Sequence, residues 1–92
     1  MRVEWRPSAL ADLIKIVQAI ALDNPRAAQE LKDEIQAKTE NLIENPKLYK
    51  VSSRVPGTRE MVIRPNYIVF YRDLPDRVLV INVVHARRKW PA

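Results

Sequence analysis

The groups with chemistry to offer in this 92-residue sequence are few: one histidine, three tyrosines, scattered carboxylates and a late concentration of arginines. His85 opens the run His85-Ala86-Arg87-Arg88-Lys89-Trp90-Pro91 and is the only side chain whose ordinary titration range suits acid–base work near neutral pH. The bland alternative for it is a ring packed at a sheet edge and hydrogen-bonded to a carbonyl. Arginines stabilise a pentavalent phosphate without help from a metal, so an arginine-rich sheet face with the one histidine, His85, fits RNA cleavage, and Glu60 is free to act as a base or to pair across the sheet. The same cations equally suit a module that only docks on an acidic or nucleic-acid-bound target. Arg87, Arg88 and Lys89 are consecutive and cannot all point one way, so at least one is expected on the open sheet surface beside Arg59, Arg64 and Arg72. Trp90 either stacks on a base or plugs the end of a core.

Much chemistry is excluded outright. There is no glycine-rich phosphate loop, no HExxH, no Asp/Asn-rich calcium loop and no pair of histidines. Cysteine is absent, which removes disulfides, thiolate metal sites and thiol catalysis together. No metal and no cofactor is expected.

Charge is unevenly placed. Residues 1–53 hold eight bases and eight acids, whereas residues 54–92 hold eight bases and three acids, so the whole net charge of +5 lies in the last 39 residues. Such a face attracts a polyanion or an acidic protein, unless it is only a solubilising surface. With 47% hydrophobic letters the chain fills one core, and a single domain over 1–92 is expected. The N-terminus lacks a continuous apolar run, and the stretch Leu10–Leu22 is broken by Asp12, Lys15 and Gln18. No membrane segment and a cytoplasmic location are therefore expected.

The elements that must position these groups follow from period and punctuation. Met1 to Trp5 alternates and reads as a strand over 1–5. A helical hairpin is expected over 8–45: Ser8 caps the first helix, with Leu10, Leu13, Ile14, Val17 and Ala21 at helical spacing. Asn24 caps the second, with Pro25 at its first position and Ala28, Leu31, Ile35, Leu42 and Ile43 on one stripe. After an irregular stretch the period changes. Thr58–Ile63, Tyr67–Arg72 and Arg77–Val84 read as three strands of an antiparallel meander within 58–84. Tyr67 and Tyr71 share one face, and Ile68 and Phe70 the other. The last strand, RVLVINVV, is apolar at nearly every position and is expected at the centre, covered on both faces. Residues 85–92 are left as a basic tail. The fold class is α+β, two-layered: an N-terminal strand, an antiparallel two-helix hairpin, then the three-stranded meander.

Three stretches carry a family resemblance: Val55-Pro56-Gly57-Thr58-Arg59-Glu60, then Pro65-Asn66-Tyr67-Ile68-Val69-Phe70-Tyr71-Arg72, then Val83-Val84-His85-Ala86-Arg87-Arg88-Lys89-Trp90-Pro91. Together they resemble the ParE branch of the RelE/ParE toxins of bacterial type II toxin–antitoxin modules, across essentially the whole chain. The resemblance implies one of two activities. ParE-like toxins poison DNA gyrase and block replication, with the C-terminal segment implicated. RelE-like toxins cut messenger RNA in the ribosomal A site. On the second alternative, Arg59 falls where those nucleases have a catalytic lysine and Arg87 where they have a C-terminal arginine. The arginine expected after the strand tyrosine is replaced by Ile68, and no tyrosine occurs in the tail. The text sits nearer ParE. On that reading Arg72, Arg87, Arg88, Lys89 and Trp90 bind the target. A cognate antitoxin is implied as partner in a hetero-oligomer, its acidic or amphipathic segment lying over Leu13, Val17, Leu31, Ile35, Arg59 and Arg64. No sequence-specific DNA binding by the toxin alone is implied.

Overall fold

The computed structural model describes residues 1–64 and 66–87. Six elements follow in order: β1 Arg2–Trp5, α1 Pro7–Ala21, α2 Pro25–Asn41, β2 Arg59–Ile63, β3 Tyr67–Asp73 and β4 Arg77–His85. The strands form one sheet in the order β1-β4-β3-β2. β2, β3 and β4 make the expected antiparallel meander, while β1 joins β4 in parallel, Arg2 opposite Arg77 and Trp5 opposite Val80.

Ser8 is not the helix cap. The cap position is two residues earlier, at an extended Arg6 with no side-chain cap, and α1 starts at Pro7. The reason lies in β4: the Arg6 N–H donates to the Val80 carbonyl (3.0 Å), fixing the chain there, and Pro7 is already set for a first helical position. The Ser8 hydroxyl instead donates to the Ile81 carbonyl (3.2 Å). One turn on, Asp12 Oδ2 accepts from the Val83 N–H and from Asn82 Nδ2, each at 3.0 Å. β1 ends at Trp5 while β4 runs on to His85, so these α1 side chains satisfy edge groups that a longer β1 would have paired. α2 begins as expected, the Asn24 side chain accepting from the Ala27 N–H at 3.0 Å.

The apolar stripe of α1 is phased differently from expectation. Ala9 is buried and Leu13, Ile16 and Ile20 pack on the core, whereas Leu10 and Ile14 remain 48% and 49% exposed. Apolar residues cover more than half the helix circumference, and the period alone cannot say which subset faces in.

A β-bulge between Phe70 and Tyr71 sets which side chains face the helices: Tyr71 lies opposite Val80 and Phe70 opposite Asn82. The main core, beneath the helices, gathers Leu31, Ile35, Leu42, Met61, Ile63, Val69, Tyr71, Val78, Val80 and Val83. On the other face Ile68, Phe70, Ile81 and Val84 form a second cluster, against which Val55 packs. β4 is thus central and covered on both faces, but a loop, not a helix, covers the second. That loop is closed on itself. Ser52 Oγ donates to Glu60 Oε2 at 2.6 Å and accepts from the Arg54 and Val55 N–H groups, while the Thr58 hydroxyl donates to the Val55 carbonyl.

Tyr71 is fully buried, its hydroxyl donating to the Pro46 carbonyl at 2.9 Å. Burial raises its pKa above the usual tyrosine value, against the opposing pull of a backbone hydrogen bond and the nearby Arg59 charge. Below about pH 10 the phenol is neutral both folded and unfolded and adds no pH dependence. Above that, the unfolded chain ionises while the folded one resists, so stability falls as pH rises through the interval up to the raised folded value. Chemical denaturation at pH 8, 10 and 11 should show this loss, and Tyr71→Phe should flatten it.

Candidate functional site

The sequence-predicted cations do not converge. β2 alternates so that Arg59, Met61 and Ile63 face the helical side with their partners Tyr71, Val69 and Tyr67. Arg59 is therefore not on the open sheet surface. Its Nε donates to Asp73 Oδ2 and its NH1 to the Tyr49 carbonyl, both at 2.8 Å, and its side chain is only 20% exposed. This pairing is invisible in the residue order, since Asp73 lies 14 residues away and across a strand pair. Removing the guanidinium would strand a part-buried carboxylate and a carbonyl, at a cost of about 2–3 kcal/mol. Arg59→Ala should accordingly lower the melting temperature by about 10–20 °C, and Asp73→Ala by a comparable amount. A thermal melt checks both.

Glu60 likewise loses its freedom. It is 5% exposed and engaged by Ser52, a structural carboxylate rather than an available base. Arg72 projects from the face opposite the helices and is exposed. Its guanidinium lies across the Gly57 turn, 3.4 Å from where a Cβ would stand, and Gly57 holds φ +77. A side chain at 57 would be strained there and would crowd Arg72. Arg64 is exposed at the far end of β2, beside Tyr67, Leu31, Glu30 and Glu34 of a cleft of about 390 Å³.

The end of β4 is the remaining cluster. His85 lies opposite Tyr67 in register, their rings edge to face with centroids 5.4 Å apart. His85 Nδ1 accepts from the Arg87 N–H at 3.1 Å, and the Ala86 N–H donates to the Asn66 carbonyl. Arg87 is exposed. Arg88, Lys89 and Trp90 lie outside the described residues.

A second surface runs over the hairpin. A groove of about 290 Å³ is lined by Val3 and Trp5 of β1, Leu10 and Leu13 of α1, and Lys32, Ile35, Gln36, Thr39 and Glu40 of α2. A shallower one of about 260 Å³ continues over Leu10, Leu13, Ile14, Val17, Gln18 and Lys32. The shared residues Leu10, Leu13 and Lys32 make them one trough. Of the expected groove residues, Leu13 and Val17 line it with partial burial. Leu31 and Ile35 do not present an exposed side: at 6% and 0% exposed they are core, Ile35 serving only as floor. The accessible apolar atoms come from Leu10 and Ile14, which are absent from the expected set. Among the described residues no three carboxylates or histidines stand together to hold a metal, and no helix is long and apolar enough to cross a membrane.

With the geometry in hand, the family is decided by comparison with known proteins. Residues 3–90 match the family model described as the ParE toxin of the type II toxin–antitoxin system parDE. The chain belongs to the ParE toxin family. It is similar over 87 residues to Toxin RelE2 of Caulobacter vibrioides, at 30% identity, covering 95% of this chain and 97% of that one. In structure, this ParE-family chain superposes on a chain of the chromosomal ParDE system from P. aeruginosa with a TM-score of 0.80 at 20% identity, covering 95% and 97% of the two chains. It also superposes on a chain of the toxin–antitoxin complex RelBE2 from Mycobacterium tuberculosis, with a TM-score of 0.60 at 22% identity, covering 91% and 95%. Both structural likenesses concern the fold, and they agree with the strand–hairpin–meander order of this ParE toxin.

Proposed function

We propose that this ParE-family toxin acts by binding DNA gyrase and blocking replication, with Arg87 and the basic run it opens as the contact, and that a cognate antitoxin silences it. The observation carrying this reading is the separation of the groups a nuclease would need. Arg59 lies opposite Tyr71 and His85 opposite Tyr67, four residues apart along β3, which is about 13 Å of strand. Arg59 is moreover turned to the helical side and held by Asp73. A single scissile phosphate cannot be gripped from both places, whereas a binding surface needs only an exposed cationic patch.

The antitoxin is assigned to the trough on the hairpin. Its floor is apolar, its length follows two helices, and it suits the apolar face of an amphipathic segment. The deciding experiment is pulse incorporation of labelled thymidine and labelled methionine minutes after inducing the toxin without antitoxin. Thymidine incorporation should fall first while methionine incorporation holds. Collapse of methionine incorporation first would place the target on the ribosome instead.

A further inference from the structure

We propose that His85 is a positioning residue: as a neutral ring it is the acceptor of a tight turn that fixes where Arg87 leaves the sheet. The proposal rests on Arg87 contacting the toxin's target, whatever that target is.

Three contacts converge on this turn. The Arg87 N–H donates to His85 Nδ1, two residues back, at 3.1 Å. This is the bond that an aspartate or asparagine side-chain oxygen makes to the N–H two residues on in an Asx turn, here made by an imidazole. The intervening Ala86 N–H is taken by the Asn66 carbonyl, so both amides after the strand have acceptors and the chain is tied to the β2–β3 turn. The ring itself is held by its edge-to-face contact with Tyr67 at an interplanar angle of 76°. A ring steadied by a neighbour presents its nitrogen in one direction, and Arg87 inherits that direction.

The chemistry of the acceptor follows. Nδ1 can accept only while it carries no proton, so the neutral ring bears its proton on Nε2. An imidazolium has no lone pair to offer and could not make this turn. The role therefore needs an acceptor held at the position of Nδ1 and no proton transfer by the histidine, which separates it from acid–base chemistry.

That separation defines the test. Asparagine places its amide oxygen near the site of Nδ1, whereas the longer glutamine carries its oxygen out towards Nε2, beyond reach of the Arg87 amide. Both variants lose the ring, so comparing them isolates the acceptor. In the full-length toxin, long-range proton–nitrogen spectra should show His85 protonated at Nε2 and bare at Nδ1, with the Arg87 amide protected from exchange. Amide protection should persist in His85→Asn and vanish in His85→Gln, at similar melting temperatures. Growth arrest at matched toxin abundance should be kept by His85→Asn. His85→Gln should need about tenfold more toxin for the same arrest, equivalent to about 1.4 kcal/mol. A wild-type ring protonated at Nδ1 overturns the turn itself. A His85→Gln toxin as potent as wild type, or a His85→Asn toxin as weak as His85→Gln, overturns its role in positioning Arg87. Growth arrest does not depend on which machine is poisoned, so a failure of the gyrase assignment shows in the incorporation assay and leaves this comparison readable.

Discussion

Reversing the charge at Arg87 should disarm the toxin while leaving its fold and its antitoxin binding unchanged. Arg87 is exposed, follows the last strand and is bonded to His85 through its backbone N–H, not its side chain, so Arg87→Glu is expected to move the melting temperature by less than about 2 °C. The loss at the target is far larger. An arginine at the centre of a binding patch contributes about 2–4 kcal/mol, and reversal adds repulsion from the acidic surface that the cation had matched. Affinity for the target should fall by about a hundredfold or more. Viable counts after induction, with a parallel melt and an antitoxin pull-down, measure all three quantities. Survival restored with the other two intact is the expected result; toxicity equal to wild type would remove Arg87 from the contact.

The converse variant should be toxic even when antitoxin is present. Leu10 and Ile14 stand half exposed on the trough, one turn apart, so placing aspartate at both costs the free toxin little. In the complex it would bury two carboxylates against the apolar face of the antitoxin segment and forfeit two aliphatic contacts. Together these amount to about 3 kcal/mol or more, or about a hundredfold in affinity. Co-expression of the Leu10→Asp/Ile14→Asp toxin with excess antitoxin should therefore arrest growth, and purified antitoxin should raise its melting temperature much less than that of the wild type. Rescue of growth by antitoxin at wild-type levels would move the docking site off this trough.

What could be read from the residues was governed by whether the controlling interaction is local. The Asn24-Pro25 cap, the start of the second helix and the doubly apolar strand Arg77–His85 depend on neighbours within a few positions and appear where expected, whereas the second helix ends at Asn41, short of the expected Leu42 and Ile43. Ser8 misled because the start of α1 is decided by Val80 and Ile81, some 73 residues distant along the chain, which capture Arg6 and Ser8. The phase of α1 misled because Leu10 and Ile14 fit the helical period as well as Ile16 and Ile20 do, and only the packed sheet chooses between them. Arg59 looked like a phosphate ligand because its residue type is visible and its partner Asp73 is not. His85 does pack its ring at the sheet edge, against Tyr67, but its Nδ1 accepts from the Arg87 amide where a bond to a carbonyl was expected, because turn geometry decides that partner and no composition carries it.

The parallel pairing of β1 with β4 carries a consequence for how this toxin comes into being. Residues Arg2–Trp5 have their sheet partner in Arg77–Val80, so β1 must wait for β4. β4 also supplies the middle of both apolar clusters and the edge groups that hold Ser8 and Asp12. Until it emerges from the ribosome, the hairpin has no completed sheet beneath it and the first strand has no mate. Contacts of such long sequence separation form late and slowly. A chain grown only as far as β3 accordingly lacks the packed sheet, and the domain assembles once β4 is free, in the same step that brings Arg87 to the surface.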